Sequence, residues 1–442
     1  MPTPVSRVRN RALHRGGRPL AWALLWLATA VALRAQGALD AAAPVGFPLQ
    51  PGIWRLDGTD PALPHHDLEP LRTIVGKATV VGLGESIHTS GGYYEAKHRI
   101  FRYLVEKLGF RVIAFETPWL DGETANAYVQ TCDGTADAAT AGFFGVWRSS
   151  ELSALVRWMC EWNSSHPSPK DKLSVYAFDV QWQAAEDAQA LADFLARVGV
   201  DPTLEPYAGL ERCRAAEAIF RPRGTVSEVE IAPCADSTDA VAAYFASHAR
   251  TLPRLVGKVD FAWAKLRLAG LAAWVEEMRW YGRDFPRSFA ARDRGMATLF
   301  QGIRALRHAK SKIALWAHNG HITQDANAYG LTTMGSFLAQ ELKGKYATVG
   351  LVSHRAAIDW PGVGCGAVEI PGPGSVEEIL HDLGEPALLV DLRFPGASEP
   401  PIAPGQVYEL NSTPMVPARA FNALVFLDRS RKMTPVAWVP CQ

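Results

Sequence analysis

VVGLGESIHTSGGYYEAKHR, from Val80 to Arg99, is the stretch on which the fold turns. It opens as a short, branched apolar run closed by a glycine, which reads as a buried strand over Ala78–Gly84. Glu85 and His88 follow at once, and Lys97 and His98 soon after. From Tyr93 to Leu108 the apolar residues recur at helical spacing and stop before Gly109, a C-terminal helix signal. A buried strand that breaks into ionisable side chains and then a helix predicts one wall of a hydrolytic site, with the other walls supplied elsewhere.

The same alternation recurs along the chain. RVIAFE (Arg111–Glu116) and LSVYAFD (Leu173–Asp179) read as strands, with helices expected near 121–131, 149–163 and 184–198. KIALWAHNGH (Lys312–His321) returns to strand character. ATVGLVS (Ala347–Ser353), ALLVDL (Ala387–Leu392), QVYEL (Gln406–Leu410) and NALVFLD (Asn422–Asp428) extend the sheet. GVGCGAVEIPGPGS (Gly362–Ser375) reads as a Gly/Pro loop and lacks the GxxxxGK[ST] phosphate cradle. Strands separated by helices imply an α/β fold with a largely parallel central sheet flanked by helices.

Residues 205–309 differ: long amphipathic stretches, few strand-like runs, and aromatic residues at Trp263, Trp274, Trp280 and Tyr281. They read as an inserted helical lobe, the aromatic group serving as its core. The expected organisation is a signal peptide over 1–35, a lead-in over 36–66, an α/β catalytic core over 67–204 and 310–442, and the lobe over 205–309.

The chain has 442 residues, with Lys+Arg and Asp+Glu both at 45. Nothing in that balance supplies the basic face a nucleic-acid binder needs. The first 35 residues hold six arginines and no acid, and five of those arginines precede LAWALLWLATAVAL (Leu20–Leu33). That apolar run is short for a membrane span and right for a signal peptide, with cleavage expected after Ala35; an uncleaved anchor is the alternative. The expectation is an exported protein with no stable membrane span after cleavage. Six cysteines lie beyond the signal (Cys132, Cys160, Cys213, Cys234, Cys365, Cys441), an even number that suits disulfides in an exported chain. Cys213 with Cys234 is the most local pairing.

Four apolar runs end in acids or histidines: Glu85 and His88, Glu116, Asp179, then His318 and His321. In a parallel sheet all would lie at the carboxyl edge, where ligands bind. Burying such groups together is costly unless they pair. The types suit hydrolysis, because a histidine held by a carboxylate can take a proton from water near neutral pH. Glu85 precedes His88 by three residues, and Glu116 on the next strand is expected to orient the same ring. A second histidine or a lysine would steady the oxyanion. Three other readings stay open. GESIH (Gly84–His88) falls one residue short of the GxSxG of a serine nucleophile. Glu85-x-x-His88 and His318-x-x-His321 could chelate a metal. A non-catalytic exported protein could use the cleft to bind an apolar ligand.

With these blocks in view, the chain resembles the erythromycin esterase family. The resemblance is carried by VVGLGESIH, YYEAKHRIFRYLVEKLGF, IAFE, VYAFDVQ, ARDRGM (Ala291–Met296), LWAHNGHI (Leu315–Ile322), TMGSFL (Thr333–Leu338) and GSVEEIL (Gly374–Leu380), in order over roughly residues 67 to 385. It implies hydrolysis of an ester or macrolide lactone, with no cofactor, no tightly bound metal and no covalent serine intermediate. It implies that His88 activates water, that Glu85 and Glu116 are the carboxylates around it, and that His318 is a second catalytic histidine. Lys97 stands where other members carry an active-site arginine. Asp293 and His321 match further motif positions and, with Asp179, are expected to contact substrate. Arg292 reads as a partner for a neighbouring acid, and His98 as a packed residue.

Overall fold

A computed structural model describes residues 48–325, 331–360, 364–369, 374–393 and 416–436. The arginine-rich N-terminus, QVYEL and Cys441 lie outside them, as does the side chain of Cys365.

The strands are β1 (Pro48–Gln50), β2 (Ile53–Arg55), β3 (Val80–Leu83), β4 (Val112–Pro118), β5 (Ser174–Asp179), β6 (Ile313–Trp316), β7 (Tyr346–Trp360), β8 (Gly364–Glu369), β9 (Ala387–Asp391) and β10 (Ala423–Ser430). They form one sheet in the order β1-β2-β9-β10-β7-β3-β6-β4-β5, with β8 paired to β7. The run from β10 to β5 is parallel, while β1, β2, β8 and β9 pair antiparallel. The sheet is therefore largely parallel at its centre, as the alternation predicts. Two features depart from the sequence reading. Two short strands lie within the stretch read as a lead-in, and β8 lies within the stretch read as a Gly/Pro loop.

Every residue of β3, β4 and β6 is buried, the signature of parallel strands covered on both faces. Alternate side chains feed two cores. Val81, Leu83, Ile113, Phe115 and Trp316 pack with the helices Gly91–Leu108, Asp121–Thr131 and Ser150–Ser165. Val80, Val112, Ala114 and Leu315 face the helices Phe285–Arg307 and Met334–Leu342.

Between β5 and β6 the chain is helical, with a third core formed by Leu191, Phe194, Phe220, Phe245 and Trp274. Cys213 and Cys234 are bridged there, as their spacing suggests, and a second bridge joins Cys132 to Cys160. The aromatic group divides: Trp274 belongs to the lobe core, whereas Trp263 stacks on Trp119 at 5.8 Å. Asn163, the first residue of a glycosylation-like triplet, is buried and bonds Val129, Leu173 and its backbone amide, so its role is structural. Among the described residues no helix is long and apolar enough to cross a membrane.

Candidate active site

Register brings the strand ends together. Leu83 of β3 lies opposite Trp316 of β6, and Trp316 opposite Phe115 of β4. Glu116 follows that level by one residue and Glu85 and His318 by two, so all three emerge at the carboxyl edge. The order matters: β6 is inserted between β3 and β4, so Glu116 is not on the strand next to Glu85. Gly84 permits the close approach, because a Cβ there would fall 2.0 Å from the Asn319 side chain. Asn319 ties the ends of β3 and β6 to the middle of β7, its amide N–H donating to Glu85 O at 2.8 Å and its side chain to Leu351 O at 3.0 Å. Thr89, at φ 67°, holds a backbone conformation rare for a β-branched residue, fixed by the Tyr94 hydroxyl at 3.0 Å.

His88 is partly exposed, with 21 % of its side chain accessible. Its Nδ1 lies 3.0 Å from Glu85 Oε1, and its ring lies 4.9 Å from Trp147 and 5.1 Å from His318. Burial lowers His88 to about 4; Glu116 opposes this, and His321 and Arg292 add to it. The ring is therefore neutral at pH 7. Glu85 is fully buried, and its second oxygen is ion-paired with Lys97. Lys97 is equally buried, donates to Ala317 O at 3.2 Å and lies 4.5 Å from the Trp316 ring. Burial pushes the Lys97 ammonium well below its ordinary range, with Glu116 pulling the other way. Lys97 thus holds Glu85 from behind.

Glu116 contacts His318, Arg292 and His321. Its Oε2 accepts from the His318 amide at 2.8 Å, and its Oε1 faces Arg292 at 3.0 Å and His321 Nε2 at 3.2 Å. Burial acts to raise this carboxyl, but His321, Arg292 and His88 hold it well below its ordinary range. His318 donates from Nε2 to Ser86 O at 3.1 Å and accepts at Nδ1 from the Gly320 amide at 3.1 Å. Both partners are backbone groups of fixed polarity, which sets the tautomer. Burial, His88 and His321 lower His318 to about 3, so this ring is neutral as well.

His321 is the opposite case. Its Nδ1 lies 2.7 Å from Asp293 Oδ1, and it stacks on Phe289 at 4.9 Å. Burial opposes its charge, but Asp293 and Glu116 raise it to about 10. Burial raises Asp293 in turn, and His321 counters it; the other Asp293 oxygen accepts from the Met334 amide at 2.6 Å. Arg292 bonds Asp179 with two nitrogens and lies 3.3 Å from His321 Nε2. Despite burial, Asp179 and Glu116 raise Arg292 well above its ordinary value.

The expected residues Glu85, His88, Lys97, Glu116, Asp179, Asp293, His318 and His321 thus form one connected cluster. Asp179 and Asp293 are fully buried behind Arg292 and His321. Arg292, 15 % exposed, pairs with Glu116 and Asp179 and so links the cluster, a wider role than the single acid partner its sequence suggests. Its position beside Asp293 in ARDRGM was the available signal. Ser86 is buried and shares its hydroxyl with Tyr93 at 2.9 Å, without a basic partner at that contact. His98 packs on Trp158 at 5.6 Å.

A partly exposed histidine backed by a buried carboxylate, beside Arg292 and His321 at the edge of a parallel sheet, is the candidate site of this α/β protein. The profile of the erythromycin esterase family matches residues 105–430, so the chain belongs to that family of hydrolases. It is 26 % identical over 368 residues to "Putative hydrolase YbfO" of Bacillus subtilis (strain 168), covering 74 % of this chain and 76 % of that one. Erythromycin esterase type II of Escherichia coli is 29 % identical over 116 residues, 26 % of this chain and 27 % of that one. The fold is shared with a Bacillus cereus protein (TM-score 0.69, 20 % identity, 86 % and 96 % of the two chains). It is shared also with a mutant of the erythromycin esterase EreC in its open conformation (TM-score 0.68, 17 % identity, 85 % and 97 %).

Proposed function

We propose that this hydrolase cleaves an ester or a macrolide lactone by means of water activated at His88. The observation that carries the reading is the 3.0 Å contact between His88 Nδ1 and Glu85. With Nδ1–H donated to the carboxylate, Nε2 is the basic nitrogen, and it belongs to a partly exposed ring, where His321 is buried. Water gives a proton to Nε2 and adds to the acyl carbon. Arg292 and the His321 imidazolium supply positive charge to the wall where the oxyanion develops. The tetrahedral intermediate collapses, the alkoxide takes the proton back from His88, and acid and alcohol leave. His318 is neutral with both nitrogens on backbone partners, and shapes the wall beside His88. Asp179, Asp293, Glu116 and Lys97 hold the working groups in place. The helical segment between β5 and β6 supplies Phe289, Arg292 and Asp293 and would cover the cleft. The N-terminal composition and the two disulfides support an exported enzyme. The names of the relatives make macrolides the first substrates to try.

The test is mass spectrometry of erythromycin and a panel of simpler lactones and aryl esters after incubation with pure protein, with and without chelator. A gain of about 18 Da, one added water, on a macrolide and unaffected by chelator supports the whole reading. Turnover of simple esters alone keeps the site and discards the macrolide. No turnover of any ester overturns the proposal.

A further inference from the structure

Outside the cleft, three side chains converge. His354 of β7, His381 at the end of the helix Val376–His381 and Asp428 of β10 each bring one donor atom within 4.8 Å of the others. They share no residue with the cleft. Ser353 bonds the Tyr93 hydroxyl at 2.6 Å, and strand alternation puts His354 on the opposite face of the sheet. His354 is buried, and its Nε2 lies 3.3 Å from Glu378 Oε2. A carboxylate can only accept, so Nε2 carries the proton and Nδ1 the lone pair. That Nδ1 is buried without a hydrogen-bond partner, 3.9 Å from Asp428 Oδ1. A lone pair stranded in the interior is unfavourable unless something donates to it or coordinates it. His381 Nδ1 lies 2.5 Å from the same Oδ1, and Arg429 approaches the other Asp428 oxygen at 3.7 Å.

We propose that His354 Nδ1, His381 Nδ1 and Asp428 Oδ1 bind a divalent transition-metal cation, with zinc the best match. Two imidazoles and a carboxylate, with a fourth position for water, are a donor set zinc takes. Glu378 is the carboxylate that sits behind a ligating histidine and fixes its tautomer. Tetrahedral bonds of about 2.0–2.2 Å place donors roughly 3.3 Å apart, and the present separations of 2.5 and 3.9 Å fall on either side of that. The His354 and His381 rings stack at 3.8 Å, so loading turns His381 out of the stack. Its side chain, 43 % exposed, has room to do so.

The experiment is calorimetric titration of the full chain, stripped with chelator and dialysed, with zinc chloride, repeated by absorption with cobalt(II). One equivalent is expected, with a tetrahedral cobalt spectrum. His381→Ala and Asp428→Asn should abolish that binding, Glu378→Gln should weaken it about 10- to 100-fold, and His88→Ala should leave it intact. His381→Ala replaces a half-exposed side chain, so its fold is checked by its metal-free melting temperature. Absence of zinc binding, or equal binding by His381→Ala and Asp428→Asn, overturns the site.

Discussion

Glu85 divides its carboxylate between two partners, one oxygen on His88 Nδ1 at 3.0 Å and the other on Lys97. The first contact fixes which His88 nitrogen is basic. The second gives the buried carboxylate a partner of opposite charge type. Base, orienter and counter-ion thus come from the end of β3 and the helix after it, within thirteen residues of sequence.

The first prediction concerns that orientation. Glu85→Gln leaves the His88 tautomer unfixed and Lys97 without its acid. Turnover of any ester substrate should fall about 10²- to 10⁴-fold with KM little changed. Steady-state kinetics decides: a raised KM at unchanged kcat would make Glu85 a substrate-binding residue instead.

The second concerns Arg292, which joins Asp179 to Glu116. Arg292→Ala leaves two buried carboxylates without this cation, and removing one partner of a buried pair costs about 3–5 kcal/mol. Arg292→Lys should recover only part of this, because an ammonium cannot span both acids as the guanidinium does. Urea unfolding of the three proteins measures the order, and equal stability of wild type and Arg292→Ala would refute it.

These two sites show what was legible in the sequence. Glu85, His88 and Lys97 lie on one strand–turn–helix unit, and local pattern places them. Strand order is a tertiary outcome, so the insertion of β6 between β3 and β4, and with it the contacts of Glu116 to Arg292 and His321, could not be read. Arg292 lies 113 residues from Asp179, on a helix whose pattern explains the residue as well as the ion pair does. β1 and β2 are three residues each and gain meaning only from pairing onto β9. β8 is rich in glycine and is strand because β7 continues far enough to receive it.

The third prediction follows from His321, raised from 6.5 to about 10 between Asp293 and Glu116. A raised histidine stabilises the fold fully below its unfolded pKa and loses that contribution as pH rises through the folded one. Melting temperatures of wild type and His321→Gln should therefore differ most below pH 6.5 and converge toward pH 10. A gap that widens with pH over that window would contradict the assignment.

The fourth concerns the lobe. The Cys213–Cys234 bridge spans 21 residues between two lobe helices, and a loop of that size restricts the unfolded chain by about 3 kcal/mol. Cys213→Ser with Cys234→Ser should lower unfolding stability by about that amount while the far-UV spectrum keeps its native form. An unchanged unfolding midpoint would remove the bridge from the stability of the fold.

The last separates two roles for Lys97. If it contacted the developing oxyanion, Lys97→Met would lower kcat equally at every pH. Its burial behind Glu85 argues otherwise. Without the ammonium, the Glu85 charge acts in full on His88 and stabilises its protonated form. His88, at about 4 in the wild type, should then titrate higher. The acid limb of kcat/KM marks where the base is lost, so in Lys97→Met it should move upward, with the rate near neutral pH falling much less than at pH 5. A pH profile that drops uniformly without moving its limb would return Lys97 to the oxyanion and leave Glu85 to act on His88 alone.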